Sequence, residues 1–132
     1  MPVVYQDILD ELTGLRASLD SAITREGGPT EDDVWRVYSR MERLAAILKL
    51  RMGVEGPRVL QEVPRSKTPG EFLSQALDSA GLASEKLSRE QLPDALAAIR
   101  SSRTSLRAYL AELNRARARE KRRAGLVRRA SR

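Results

Sequence analysis

Residues 92–123 read LPDALAAIRSSRTSLRAYLAELNRARAREKRR, and nothing after Pro93 breaks a helix before Gly125. Leu92, Leu96, Ile99, Leu106, Leu110 and Leu113 recur at intervals of three, four and seven, which places them on one helical face, with Arg103 on the seam. A continuous helix over this stretch would be about 48 Å long at a rise of ~1.5 Å per residue. That length decides the fold. A helix of this size needs partners to bury its leucines, and its far end must project beyond shorter partners.

The partners lie upstream. Val4, Ile8, Leu12, Leu15, Leu19 and Ile23 form one stripe, so the spacing predicts a first helix over residues 3–23. Gly14 inside it costs roughly 1 kcal/mol relative to alanine, which points to close packing against a neighbour. Arg25-Glu26-Gly27-Gly28-Pro29 stops the helix and turns the chain. Thr30 can cap the next helix, with Glu31, Asp32 and Asp33 in the first turn, where the helix dipole favours anions. Val34, Val37, Met41, Leu44 and Leu48 make its apolar stripe; Trp35, Tyr38, Ala45 and Leu50 widen it, and Gly53 suits the C′ position. Trp35 and Tyr38 read more readily as core than as anchors for a partner.

Residues 53–70, GVEGPRVLQEVPRSKTPG, form a Pro/Gly-rich connector, with room for a short ordered piece at Arg58–Glu62. The connector exceeds the usual helix–helix loop, a length that points to function or mobility. Thr68-Pro69-Gly70-Glu71 then supplies a capping box with proline at N1. Phe72, Leu73, Ala76, Leu77 and Ala80 give a third helix, with an interruption expected at Gly81 or a continuation to Leu87. The fourth begins between Gln91 and Pro93, because proline is tolerated near the first helical position. No internal repeat aligns the halves. The expected fold is all-α: a four-helix bundle of two helical hairpins over residues 1–114, with residues 115–132 as an extended, basic C-terminal helix or tail.

Composition removes whole classes of chemistry. There is no cysteine and no histidine, so disulfides, thiolate nucleophiles, cysteine- or histidine-bound zinc and imidazole acid–base catalysis are out. No G-x-x-x-x-G-K-[ST] or G-x-G-x-x-G stretch cradles phosphates. Asp7, Asp10 and Glu11 have a spacing that can gather Mg²⁺, but no second cluster with matching spacing stands ready on a facing helix. They read as a solvated face. The expectation is a protein without catalytic residues, metal or cofactor. The amino terminus lacks the pattern of a signal peptide, and no apolar run is long enough to span a bilayer, so a soluble, cytoplasmic protein is expected.

Charge is the informative feature. Residues 1–34 carry net −6, residues 35–114 net +4 and residues 115–132 net +8. Such polarity speaks to partners rather than fold. The candidate phosphate-binding residues are Arg115, Arg117, Arg119, Lys121, Arg122, Arg123, Arg128, Arg129 and Arg132, with Arg100, Arg103 and Arg107 extending them down the fourth helix. Successive helical residues advance ~100°, so these cations surround the axis and repel one another until a polyanion neutralises them. Arginine suits phosphate because its guanidinium can donate two hydrogen bonds side by side. The charge encircles the helix and no aromatic anchors accompany it, which argues against a membrane surface. Zinc-finger, homeodomain and bZIP signatures are absent, so direct base readout is not expected. Aromatics do not interleave with the basics, so a stacking platform is not expected either. The sequence therefore points to a nucleic-acid-binding accessory protein, DNA or RNA, gripping phosphates without regard to sequence. The alternative is a protein–protein adapter or small helical subunit, including a homo-oligomer, whose apolar stripes would meet a partner.

Overall fold

A computed structural model describes residues 5–53 and 68–130, with side chains as far as residue 126. The described residues are all-helical in architecture, with α1 (Gln6–Thr24), α2 (Glu31–Met52), α3 (Pro69–Ser88) and α4 (Leu92–Ala130). Among the described residues there is no strand. Val3, Val4 and the expected short piece at 58–62 lie outside the described residues.

Local signals explain the ends. Thr30 Oγ1 accepts from the Asp33 N–H at 3.2 Å, while Asp33 Oδ2 accepts from the Thr30 N–H at 3.1 Å. These bonds hold the Asp33 carboxyl below the usual range, with the Arg25 guanidinium adding to the effect. Thr68 and Glu71 repeat the arrangement at the start of α3. Gly53 ends α2 in the left-handed conformation, φ 62°, that glycine adopts without steric cost. Ser88 closes α3, and its hydroxyl donates to the Glu85 carbonyl at 2.7 Å.

Ion pairs and hydrogen bonds fix the directions of packing. Arg25–Asp33 and Arg51–Asp7 join opposite ends of α1 and α2, so the two run antiparallel. Ser79 meets Ser101, and Ser102 donates to the Ala76 carbonyl, which sets α3 antiparallel to α4. Glu31 at the start of α2 meets Arg117 of α4. The buried residues of α4 all precede Arg117, so α2 must run back along it, antiparallel. Each helix contacts two neighbours: α1 touches α2 and α3, and α4 touches α2 and α3. Accordingly α2 and α3 point the same way on opposite corners. The end of α2 and the start of α3 therefore lie at opposite ends of the bundle.

The expected stripes form the core. Ile8, Leu12, Leu19, Val34, Met41, Leu44, Leu48, Ile99 and Leu106 are almost fully buried. Each large side chain of this kind stabilises the fold by roughly 2 kcal/mol relative to exposure. A second seam joins α3 and α4. Leu73, Ala76, Ala80, Ala83 and Leu87 meet Ala95, Ala98, Ser102, Ser105 and Tyr109, all buried and spaced alternately by three and four. That is the spacing of a coiled-coil interface, with small residues letting the backbones approach. Ser102 Oγ donates to the Ala76 carbonyl at 2.8 Å. Ser105 Oγ is buried without a hydrogen-bond partner among the described residues.

Several expectations need correction. Trp35 and Leu50 are exposed rather than part of the core, at 44% and 81%. Gly14 has nothing within 4 Å of where a Cβ would be, so close packing does not explain it. Gly81 does not interrupt α3; the Arg16 guanidinium lies across it, 3.2 Å from the position a Cβ would take. Gly125 does not end α4, which continues to Ala130. A helix already nucleated along a core tolerates one glycine's cost of about 1 kcal/mol.

Candidate nucleic-acid interface

At a rise of ~1.5 Å per residue, the 39 residues of α4 extend about 58 Å, against about 33 Å for α2. The last buried side chain on α4 is Leu110, Leu113 packs partly against the core, and residues 114–126 are all exposed. The sequence-predicted cations therefore divide between the body and the projecting stretch. Arg100 and Arg103 are half-buried beside the core and Arg107 is exposed. Arg115, Arg117, Arg119, Lys121, Arg122 and Arg123 all lie on the projecting stretch. The side chains of Arg128 and Arg129, and Arg132 altogether, lie outside the described residues.

Carboxylates engage two of these cations. Arg115 donates to Glu112 at 3.3 Å within α4, and Arg117 reaches Glu31 at the start of α2 at 2.5 Å. Among the described residues no ion pair engages Arg119, Lys121, Arg122 or Arg123, nor Arg100, Arg103 or Arg107. Exposed pairs are typically worth about 0–1 kcal/mol, which leaves even Arg117 open to competition from a phosphate.

Helical geometry sorts the cations into strips. Arg103, Arg107, Arg117 and Lys121 fall on the flank of α4 that turns toward α2, the flank marked by the Arg117–Glu31 pair. Arg115, Arg119 and Arg122 fall on another flank, spaced by four and three. Each strip can follow a phosphate backbone.

The acidic trio of α1 has a different environment. Asp7 accepts two bonds from Arg51, at 2.8 and 2.6 Å, and this guanidinium pulls its carboxyl down to about 2. Asp10 accepts from Gln6 at 2.7 Å. Among the described residues no three acidic side chains gather as metal ligands would, nor is any helix long and apolar enough to cross a membrane.

Sequence reasoning missed Trp35. It stands one turn beyond Glu31 on α2, and Glu31 pairs with Arg117 at the root of the projecting helix. Its position ~100° around the helix from Val34 was the available signal. No family model matches the chain, and neither does any curated protein or solved structure.

Proposed function

We propose that this protein is a non-enzymatic nucleic-acid-binding accessory factor of the cytoplasm. Two helical hairpins form the scaffold, and the extended basic end of α4 grips phosphates without regard to sequence. The observation that carries this reading is the run of exposed residues from Asn114 to Leu126, in which four cations have no ion pair among the described residues. Replacing the counterions of a nucleic acid with such cations gives affinity that falls steeply with salt.

The adapter reading draws less support. The apolar stripes that would have met a partner are used inside the chain's own core. Among the described residues, the large apolar side chains left exposed, Trp35, Leu50, Leu82 and Leu126, are spread over three helices. An adapter would form a complex that survives nuclease and high salt.

Anisotropy titrations of the full chain and of a 1–114 truncation, against DNA and RNA across a salt series, test the proposal. The truncation retains every buried residue among those described, so its fold should persist. It should lose most of the affinity. Equal binding by the two forms refutes the role of the basic helix.

A further inference from the structure

Trp35 is the single tryptophan of the chain. It is 44% exposed, an unusual position for the residue with the most apolar surface to bury. The ring is nevertheless held in place. Tyr38 meets it edge to face, with centroids 5.5 Å apart and planes at 88°. Tyr38 is in turn packed against the core, and its hydroxyl donates to Glu42 at 3.4 Å. A perpendicular contact leaves Tyr38 covering at most one face of the indole, and the residue keeps 44% of its surface exposed.

Its location relative to the cations gives the exposure a use. Glu31 fixes the level of Arg117, and α2 runs antiparallel to α4 from that point. Trp35 is four residues further along α2, about 6 Å back toward the bundle. It therefore stands between the levels of Arg117 and Arg107, on the flank where Arg103, Arg107, Arg117 and Lys121 line α4. On this flank the strip has no cation between Arg107 and Arg117, and the level of Trp35 falls within that interval. Residue numbers 35 and 117 are far apart, but the Glu31–Arg117 pair brings their helix levels within about one turn of each other.

We infer that Trp35 is a stacking platform for an unpaired base, and that the preferred ligand is single-stranded nucleic acid whose phosphates run along Arg107, Arg117 and Lys121. This rests on the phosphate-gripping reading above and narrows it. A ring already held by Tyr38 loses little conformational freedom on binding. Every base has a π-face, so stacking adds affinity without adding sequence preference, which suits a site with no direct base readout. In a duplex the bases are already stacked on one another and unavailable to the indole.

The test uses the intrinsic emission of Trp35 in the full-length protein, together with anisotropy of labelled ligands. An oligo(dT) strand, a duplex of the same length and inorganic polyphosphate are compared at one salt concentration. The strand should quench the indole; duplex and polyphosphate should bind without quenching. Trp35→Ala should weaken strand binding roughly tenfold and leave polyphosphate binding unchanged. Trp35→Phe should recover most of the loss. Strand binding with undiminished emission overturns the inference while leaving the phosphate grip intact, as does equal weakening of strand and polyphosphate by Trp35→Ala. Failure of all three polyanions to bind overturns the grip and the platform together. A blue shift that grows with protein concentration alone would assign the indole to a second copy of the chain, and that result also overturns the inference.

Discussion

Removing cations that carboxylates already engage should affect binding differently from removing free ones. Arg119, Lys121, Arg122 and Arg123 are exposed and have no ion pair among the described residues, whereas Arg115 is held by Glu112 and Arg117 by Glu31. Each phosphate neutralised on duplex DNA contributes about −0.9 to the slope of log K against log salt. Arg119→Ala combined with Arg122→Ala should therefore flatten that slope by about 1.8. Over a fourfold rise in salt, the unaltered chain should lose about tenfold more affinity than the double variant. Alanine is the strongest helix former, so α4 should persist and the effect can be read as charge.

Arg115→Ala with Arg117→Ala removes the same formal charge. These guanidiniums are partly neutralised within the chain, so fewer counterions are released through them and the slope should flatten by less than about 1.8. Residues 128–132 are common to all variants and cancel in the comparison. The assay is anisotropy of a labelled duplex over a salt series, fitted separately at each concentration. Equal flattening by the two double variants would refute the distinction between free and engaged cations. No flattening by either would refute phosphate contact along this stretch.

Two further effects follow from the helices themselves. Gly14→Ala should stabilise the fold by about 1 kcal/mol, because α1 gains helix propensity and the new methyl meets nothing within 4 Å; Gly81→Ala should gain less, since Arg16 must move. Denaturant midpoints at unchanged m-value measure both. The carboxyl of Asp7 is held at about 2 in the folded state against 3.8 ordinarily, so its pairing with Arg51 stabilises the fold fully above the ordinary value and is lost as pH falls through the folded one. The stability difference between the unaltered chain and Asp7→Asn should accordingly stay level near neutrality and shrink between about pH 4 and pH 2, as read by denaturation at stepped pH.

What the sequence revealed depended on side-chain size. Leucine, isoleucine, valine and methionine at three- and four-residue spacing marked the stripes of α1 and α2, because large apolar groups in such a pattern have one sensible destination. The α3–α4 seam stayed hidden for the opposite reason. Ala95, Ala98, Ser102 and Ser105 are small, and alanine is as common on helix surfaces as in tight interfaces. Their regular spacing against Ala76, Ala80 and Ala83 gains meaning only once the helices are known to face each other. Trp35 was misplaced because its type suggested burial, while its angle, ~100° from Val34 and ~160° from Val37 around the helix, set it well off the stripe. The candidate interface was legible as a list of cations. Which of them are engaged was not, because Glu31 and Arg117 are brought together only by folding.

The helical state of the basic segment bears on how it could work. Like charges crowded around an axis destabilise a helix by a few tenths of a kcal/mol per neighbouring pair. Three features oppose that cost. The segment propagates from a helix already nucleated on the core, so it needs no nucleus of its own. Arg115–Glu112 and Arg117–Glu31 neutralise its root, where repulsion with the body's own cations would otherwise accumulate. Its carboxyl end also carries the negative pole of the helix dipole, which favours cationic residues in the last turns. A cationic coil would have to be ordered by its ligand, at roughly 1–2 kcal/mol per residue for the backbone. A preformed rod avoids that cost and keeps Arg117 and Lys121 in register with the fixed indole of Trp35. On this argument, breaking the rod with proline near Ala118 should weaken binding without altering net charge. A coil of equal charge would still attract a polyanion, but it would no longer align phosphates with the ring.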